Sequence, residues 1–181
     1  MKDILDETIA LAEKTIEKKN PDLKNKEEVA RKVAIAAIFY GDLKNNRVSD
    51  MTFDIEKFLD FEGNTGPYLQ YSYARASSIL RKAKKQPASK IKSEKLEESE
   101  IKLVKKLSNF PDIANQAKEQ LNPAVIANYS FELSQTFNEF YHSCPVIGSE
   151  QESFRLSLVQ AFRIVIKQAL FLLGIDVLEE M

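Results

Sequence analysis

Apolar residues recur at helical spacing along almost the whole chain. Over residues 3–19, Ile4, Leu5, Ile9, Ala12 and Ile16 fall on one helical face, with acids early and lysines late, as the helix dipole favours. Pro21 ends that pattern. A second helix is expected over 26–40, with Val29, Val33, Ala36, Ala37 and Tyr40 on its apolar face. Gly41 and the polar run from Asp42 to Asp50 are expected to break it. Residues 51–54 suit a short extended piece. Asp54 suits an N-cap for one or two helical turns over 55–61.

Next comes the turn Gly63-Asn64-Thr65-Gly66-Pro67, where Pro67 suits the first position of a helix. The pattern extends that helix from Pro67 to Lys85, with Leu69, Tyr73, Ala76, Leu80 and Ala83 on its apolar side. Residues 86–93 are polar and read as a loop. A helix follows from about Glu94 to Ser108, then a short one over 111–120. Asn122-Pro123 opens another, in which Ile126, Tyr129, Leu133, Phe137 and Phe140 repeat at helical spacing. After the connector 144–148, a last helix over 149–173 is apolar on most of its circumference, apart from Gln160, Arg163 and Lys167. Such a helix is expected at the centre of its bundle. Gly174 suits its C-terminal cap. The expected fold is all-α: a helical segment over 1–60, then a helical bundle over 61–181.

Composition agrees. With 44% hydrophobic and 29% charged residues the chain can bury a sizeable core and stay soluble. Five glycines and six prolines leave little material for the turns of a β-sandwich. No apolar run approaches the ~18 residues of a membrane span, and the charged N-terminal stretch has no signal-peptide core. A single cysteine, Cys144, allows no internal disulfide, which points to the cytosol. The net charge of −1 argues against a nonspecific nucleic-acid coat. A local basic patch remains: over 75–95 the side chains of Arg75, Arg81, Lys82, Lys84, Lys85, Lys90, Lys92 and Lys95 face Glu94 alone.

Motifs for self-sufficient chemistry are missing. There is no phosphate-binding loop, dinucleotide fingerprint or HExxH. The Gly63–Gly66 run follows no buried strand, so a structural turn outweighs an anion site. His142 and Cys144 read as a loop histidine and a half-buried cysteine, and neither they nor any other residues form a metal cluster. The pairs Glu97/Glu98 and Glu179/Glu180 read as solvated surface. One constellation has more content. Tyr68, Tyr71, Arg75 and Lys82 share a stripe of a helix. Tyrosines stack on unpaired bases and cations neutralise phosphates, the way proteins hold single-stranded RNA loops. Composition alone favours the plainer reading, core-edge tyrosines beside a solvated basic face.

A resemblance shifts that balance. The run from Phe61 to Arg75, with its Glu-Gly-Asn-Thr-Gly-Pro-Tyr-Leu-Gln-Tyr core, closely resembles a signature of class I arginyl-tRNA synthetases. So do Asp42–Arg47 followed by Phe53-Asp54, the stretch from Asn122 through Tyr129 and Phe137–His142 to Val146, and the closing helix from Arg155 to Ile175 with Met181. The likeness covers nearly the whole chain in order. It implies a bundle that binds the anticodon loop, preceded by helices that contact the inner corner of the tRNA. The parent enzyme joins arginine to tRNA with ATP and magnesium.

By this resemblance Tyr68 and Tyr141 sit where the family places aromatic anticodon contacts, with Met181 nearby. Gly63, Asn64, Thr65 and Gly66 match a loop that links anticodon binding to the active site. With Tyr71, Arg75, Arg81, Lys82, Lys84 and Lys85 as further RNA contacts, the expected partners are tRNA(Arg) and the catalytic half of the synthetase. The departures are equally informative: the HIGH-like and KMSK-like motifs do not occur, and the family's closing Glu-Arg-Met is Glu179-Glu180-Met181. The chain alone is therefore expected to be a non-catalytic, cofactor-free, cytoplasmic monomer, the recognition arm of a longer enzyme. The alternative is a stand-alone helical protein-interaction module derived from the bundle.

Overall fold

The computed structural model describes residues 2–48, 50, 52, 54–88 and 96–181. Among them lie eight helices and no strand: α1 (Lys2–Lys19), α2 (Lys26–Leu43), α3 (Ile55–Phe58), α4 (Gly66–Lys82), α5 (Glu98–Ser108), α6 (Phe110–Gln120), α7 (Ala124–Ser143) and α8 (Glu152–Leu172). The all-α expectation holds. Of the expected extended piece at 51–54, Met51 and Phe53 lie outside the described residues, as do Lys90, Lys92, Glu94 and Lys95.

Local chemistry explains most boundaries. Asp54 caps α3 by accepting from Lys57 N at 3.2 Å. Thr65 caps α4 by accepting from Tyr68 N at 3.3 Å, with Pro67 in the first turn. Glu97 and Glu100 form a reciprocal capping box on α5, so this glutamate is structural and not merely solvated surface. Gly174, at φ +72°, closes α8. Its N–H donates to Phe171 O at 3.0 Å, and Ile175 N–H donates to Leu170 O at 2.9 Å. This paired arrangement needs the left-handed backbone that glycine adopts without strain.

Three expectations need correction. Gly41 does not end α2, which continues to Leu43. The glycine is buried against Phe58, and a Cβ there would come within 2.6 Å of the ring. The glycine admits a neighbour instead of breaking the helix. Helix α4 stops at Lys82, so Lys84 and Lys85 follow it. The chain turns extended at Ala83 and runs along α8, where Ala88 N–H donates to Ser157 Oγ at 2.8 Å. Finally, α8 is not buried all round. Phe154, Leu156, Val159, Phe162, Ile166 and Leu170 face inward, but Ile164, Phe171 and Leu172 are exposed, Phe171 to 73%.

Two apolar clusters hold the molecule. The larger joins α4, α5, α7 and α8, with Phe137 and Phe162 stacked at 3.9 Å between ring centroids. Each buried aromatic or aliphatic side chain of this kind contributes about 1.5–3 kcal/mol. The smaller gathers Ala12, Ile16, Ala30, Val33, Ala37, Phe58, Leu59 and Leu178. Helix α2 serves both, since its Ala36 and Tyr40 belong to the larger cluster. It approaches α4 so closely that a Cβ on Gly66 would overlap the Ala36 carbonyl.

Candidate nucleic-acid interface

Tyr71 and Arg75 stand one turn apart on α4, and Tyr141 reaches the same place from the end of α7. The Arg75 guanidinium carbon lies 4.8 Å from the Tyr71 ring centroid and 5.7 Å from that of Tyr141. Both distances are within cation–π range. Nη1 donates to Asn138 Oδ1 at 2.6 Å and Nη2 to the Tyr71 hydroxyl at 3.2 Å. The Asn138 amide nitrogen in turn donates to the Tyr68 hydroxyl at 2.8 Å. One asparagine therefore fixes both the cation and a ring. Tyr71 and Tyr141 are 39% and 38% exposed. Tyr68 is half-buried, its ring tilted against Phe131 at 5.6 Å.

These residues line two adjoining hollows. One, of about 650 Å³, also takes in Arg81, Lys82 and the end of the chain. The other, of about 530 Å³, adds Tyr68, Phe61 and the end of α1 with Lys19 and Asn20. Tyr71, Arg75, Asn20 and Met181 are common to both, so they form the ridge between them. Lys19 lies over the Phe61 ring at 4.6 Å. The structure thus brings together Tyr68, Tyr71, Arg75, Arg81, Lys82, Tyr141 and Met181. It places Lys84 and Lys85 outside the residues lining this groove. Lys84 is exposed, and Lys85 is 3.4 Å from buried Glu152.

The tail that follows α8 forms a wall of the groove. Gln70 Nε2 donates to Asp176 O at 2.8 Å. The Glu179 carboxylate accepts from Arg163 Nη2 at 2.6 Å and from the Tyr73 hydroxyl at 2.8 Å, while Arg81 Nη1 donates to Glu179 O at 3.0 Å. Arg81 Nη2 also lies 3.2 Å from Glu180 Oε1. Asn20 Nδ2 donates to Met181 O at 3.2 Å, tying the tail to α1. Partial burial pushes the Glu179 carboxyl upward, but the hydrogen bonds from Tyr73 and Arg163 outweigh it and hold the group below its ordinary value. Burial, and then the neighbouring Glu179, push the Tyr73 phenol up. Glu179 is exposed, as its position near the terminus suggests, yet its carboxylate anchors the tail.

Gly63, Asn64, Thr65 and Gly66 occupy a different junction. The Tyr40 hydroxyl stands 2.5 Å from Asn64 Oδ1 and 3.0 Å from Ala127 O, so α2, the turn and α7 meet there. Lys44 donates to Asn64 O at 2.7 Å, and burial lowers its pKa below the ordinary lysine value. The Thr65 hydroxyl donates to Asp60 O. His142 is exposed in the last turn of α7 and not in a loop. Cys144 is 2% exposed, with its sulfur 3.3 Å from Ser99 Oγ. Neither helps to line the groove.

Lys19, Asn20 and Phe61 line the hollows, and Arg163 holds the tail behind them, without these roles having been legible in the sequence. Arg163 read only as part of a polar stripe.

Comparison with known proteins gives this geometry a family. Residues 69–181 match the family described as DALR anticodon binding domain, and residues 1–55 match the one described as tRNA synthetases class I (R), catalytic domain. The arginine–tRNA ligase of Clostridium perfringens is 47% identical over 189 residues, covering 100% of this chain and 33% of that protein. Its counterpart in Clostridium acetobutylicum is 45% identical over 184 residues, with the same coverage of 100% and 33%. Among solved structures, the Thermus thermophilus arginyl-tRNA synthetase superimposes with a TM-score of 0.94 at 35% identity, over 99% of this chain and 32% of that one. The enzyme from Plasmodium falciparum does so with a TM-score of 0.88 at 27% identity, over 100% and 33%. The chain spans about a third of the length of these relatives. With the anticodon-binding match alone spanning more than half of its residues, the chain belongs to the DALR anticodon-binding family.

Proposed function

We propose that the chain binds the anticodon stem-loop of tRNA(Arg) and serves as the recognition arm of an arginyl-tRNA synthetase. The observation that carries this reading is Arg75 held between the exposed rings of Tyr71 and Tyr141 at the edge of an open groove. Unpaired bases stack on such rings, and each stack contributes about 1–3 kcal/mol. Arg75 and Lys82 neutralise phosphates, which sets affinity more than sequence choice. Residues 61–181 act as the binding bundle. Residues 1–60 act as the connector to the catalytic part and supply the Lys19–Asn20 wall. The turn from Gly63 to Gly66 couples the two. The adenylate chemistry, with its ATP and magnesium, belongs to the catalytic part of the synthetase, and this chain takes no cofactor. No helix among the described residues is long and apolar enough to cross a membrane, and the proposed setting is the cytoplasm, with the chain acting as a monomer.

The test is binding of arginine tRNA against a non-cognate tRNA. Cognate preference with affinity that falls steeply between about 50 and 200 mM salt supports the reading. Salt-insensitive binding, or none, overturns it. ATP–pyrophosphate exchange above background would overturn the non-catalytic assignment.

A second reading has one observation in its favour. Ile164, Phe171 and Leu172 lie on the open side of α8, and Phe39, also exposed, packs close to Gly174 just beyond that helix. This face suits a protein contact, and a binding partner insensitive to salt would identify it.

A further inference from the structure

We propose that the two glutamates of the tail have opposite roles in the groove: Glu179 anchors the tail, and Glu180 is a built-in competitor that occupies Arg81 until an RNA phosphate displaces it. The inference rests on the RNA-binding reading and deepens it.

The two carboxylates are adjacent in sequence but differently held. Glu179 is the acceptor for Arg163 and Tyr73, and Arg163 Nε is itself fixed by Ser77 Oγ at 2.9 Å. Removing that carboxylate loosens the tail that carries Met181 into the groove. Glu180 is held by less: its carboxylate meets Arg81 Nη2 at 3.2 Å, and both glutamates remain open to water. Both residues line the same hollow as Arg75, Lys82 and Tyr141. An approaching phosphate finds Arg81 already carrying a carboxylate: Glu180 Oε1 stands at Nη2, while Nη1 is taken by the Glu179 carbonyl, with Glu179 Oε2 farther off at 4.0 Å. Binding there is an exchange of one ion pair for another. It leaves the Glu180 carboxylate facing the anion, and it releases no counterion from Arg81. The groove therefore presents Arg75 and Lys82 as its standing cations and Arg81 as a conditional one. The result is a groove that discriminates against weakly held polyanions.

The experiment uses the full 181-residue chain and a synthetic anticodon stem-loop of arginine tRNA, read by fluorescence anisotropy across a salt series. Glu180→Gln should bind roughly two- to fivefold tighter, the worth of one exposed ion pair. Its logarithmic salt slope should steepen by about 0.7, as for one added phosphate contact. In an Arg81→Ala background the same substitution should give no gain. Glu179→Gln should bind more weakly than the unaltered chain, although it removes the same charge. Equal tightening by both substitutions would mean that only net charge matters and overturns the proposal, as does a Glu180→Gln gain that survives Arg81→Ala. If the unaltered chain binds with normal salt sensitivity and Glu180→Gln changes nothing, this inference fails while the RNA-binding reading stands. Absence of salt-sensitive binding in every variant overturns both.

Discussion

Arg155 in α8 donates from Nε to Glu100 Oε1 in α5 at 2.8 Å, with Glu100 fully buried and Arg155 nearly so. Arg155 Nη1 also donates to Pro145 O at 2.8 Å, so one side chain ties α5, α8 and the connector after α7. Removing one partner strands the other charge in the interior. Arg155→Met should destabilise the fold by about 3–5 kcal/mol in chemical denaturation, and adding Glu100→Gln should recover a large part of that loss. A single substitution within about 1 kcal/mol of the parent would show that water reaches the pair.

The two glycines of the turn before α4 should respond differently to alanine. Gly66 has no room, because a Cβ would overlap the Ala36 carbonyl, and that backbone is held within α2. Gly63 has ordinary clearance, its nearest neighbour being Asp60 Oδ2 at 3.4 Å. Gly66→Ala should cost about 1–3 kcal/mol or more, which lowers Tm by several degrees in a domain of this size. Gly63→Ala should stay within about 0.5 kcal/mol, as surface substitutions usually do. Thermal melts followed by circular dichroism decide it.

Tyr141 and Tyr68 separate binding from stability. Tyr141→Ala should leave the melting temperature nearly unchanged while costing about 1–3 kcal/mol of anticodon stem-loop affinity. Tyr141→Phe should keep the affinity, because stacking uses the ring. Tyr68→Ala should lower both quantities, since that ring packs on Phe131 and its hydroxyl accepts from Asn138. Parallel melts and binding titrations read the two effects.

Acid should weaken the tail anchor. The Glu179 carboxyl has its pKa lowered in the folded chain from an ordinary 4.5. Its stabilising contribution is therefore complete above the unfolded-state value and is lost as pH falls through the lower folded-state one. The stability gap between the unaltered chain and Glu179→Gln should be constant near neutral pH and close below about pH 4.5. A gap that persists at lower pH would assign the effect to packing.

Signals that act within a few residues were legible in the sequence. Asp54, Thr65 and Gly174 carry their capping chemistry in their own side chains or backbone freedom, so α3, α4 and α8 begin or end close to where the pattern puts them. The spacing of Tyr68, Tyr71 and Arg75 likewise places them on one side of α4, where Asn138 joins the first and last. Tyr141 entered through family resemblance, because nothing in the spacing of α7 points at α4. Contacts between distant segments were not legible. Gly41 looks like a helix breaker unless Phe58 is known to lie on it. The outward turn of Phe171 depends on what packs around α8, which periodicity does not report. Arg163 and Asn20 matter to the groove only because the tail folds back to meet them.

That returning tail has a practical consequence for anyone handling the molecule. Met181 sits on the ridge between the two hollows, with its carbonyl held by Asn20. A purification tag fused after it would emerge beside the proposed binding groove and, if rich in histidine or acidic linkers, would alter the apparent charge there. Handles belong at the opposite terminus, on α1, and titrations made with the two placements should differ.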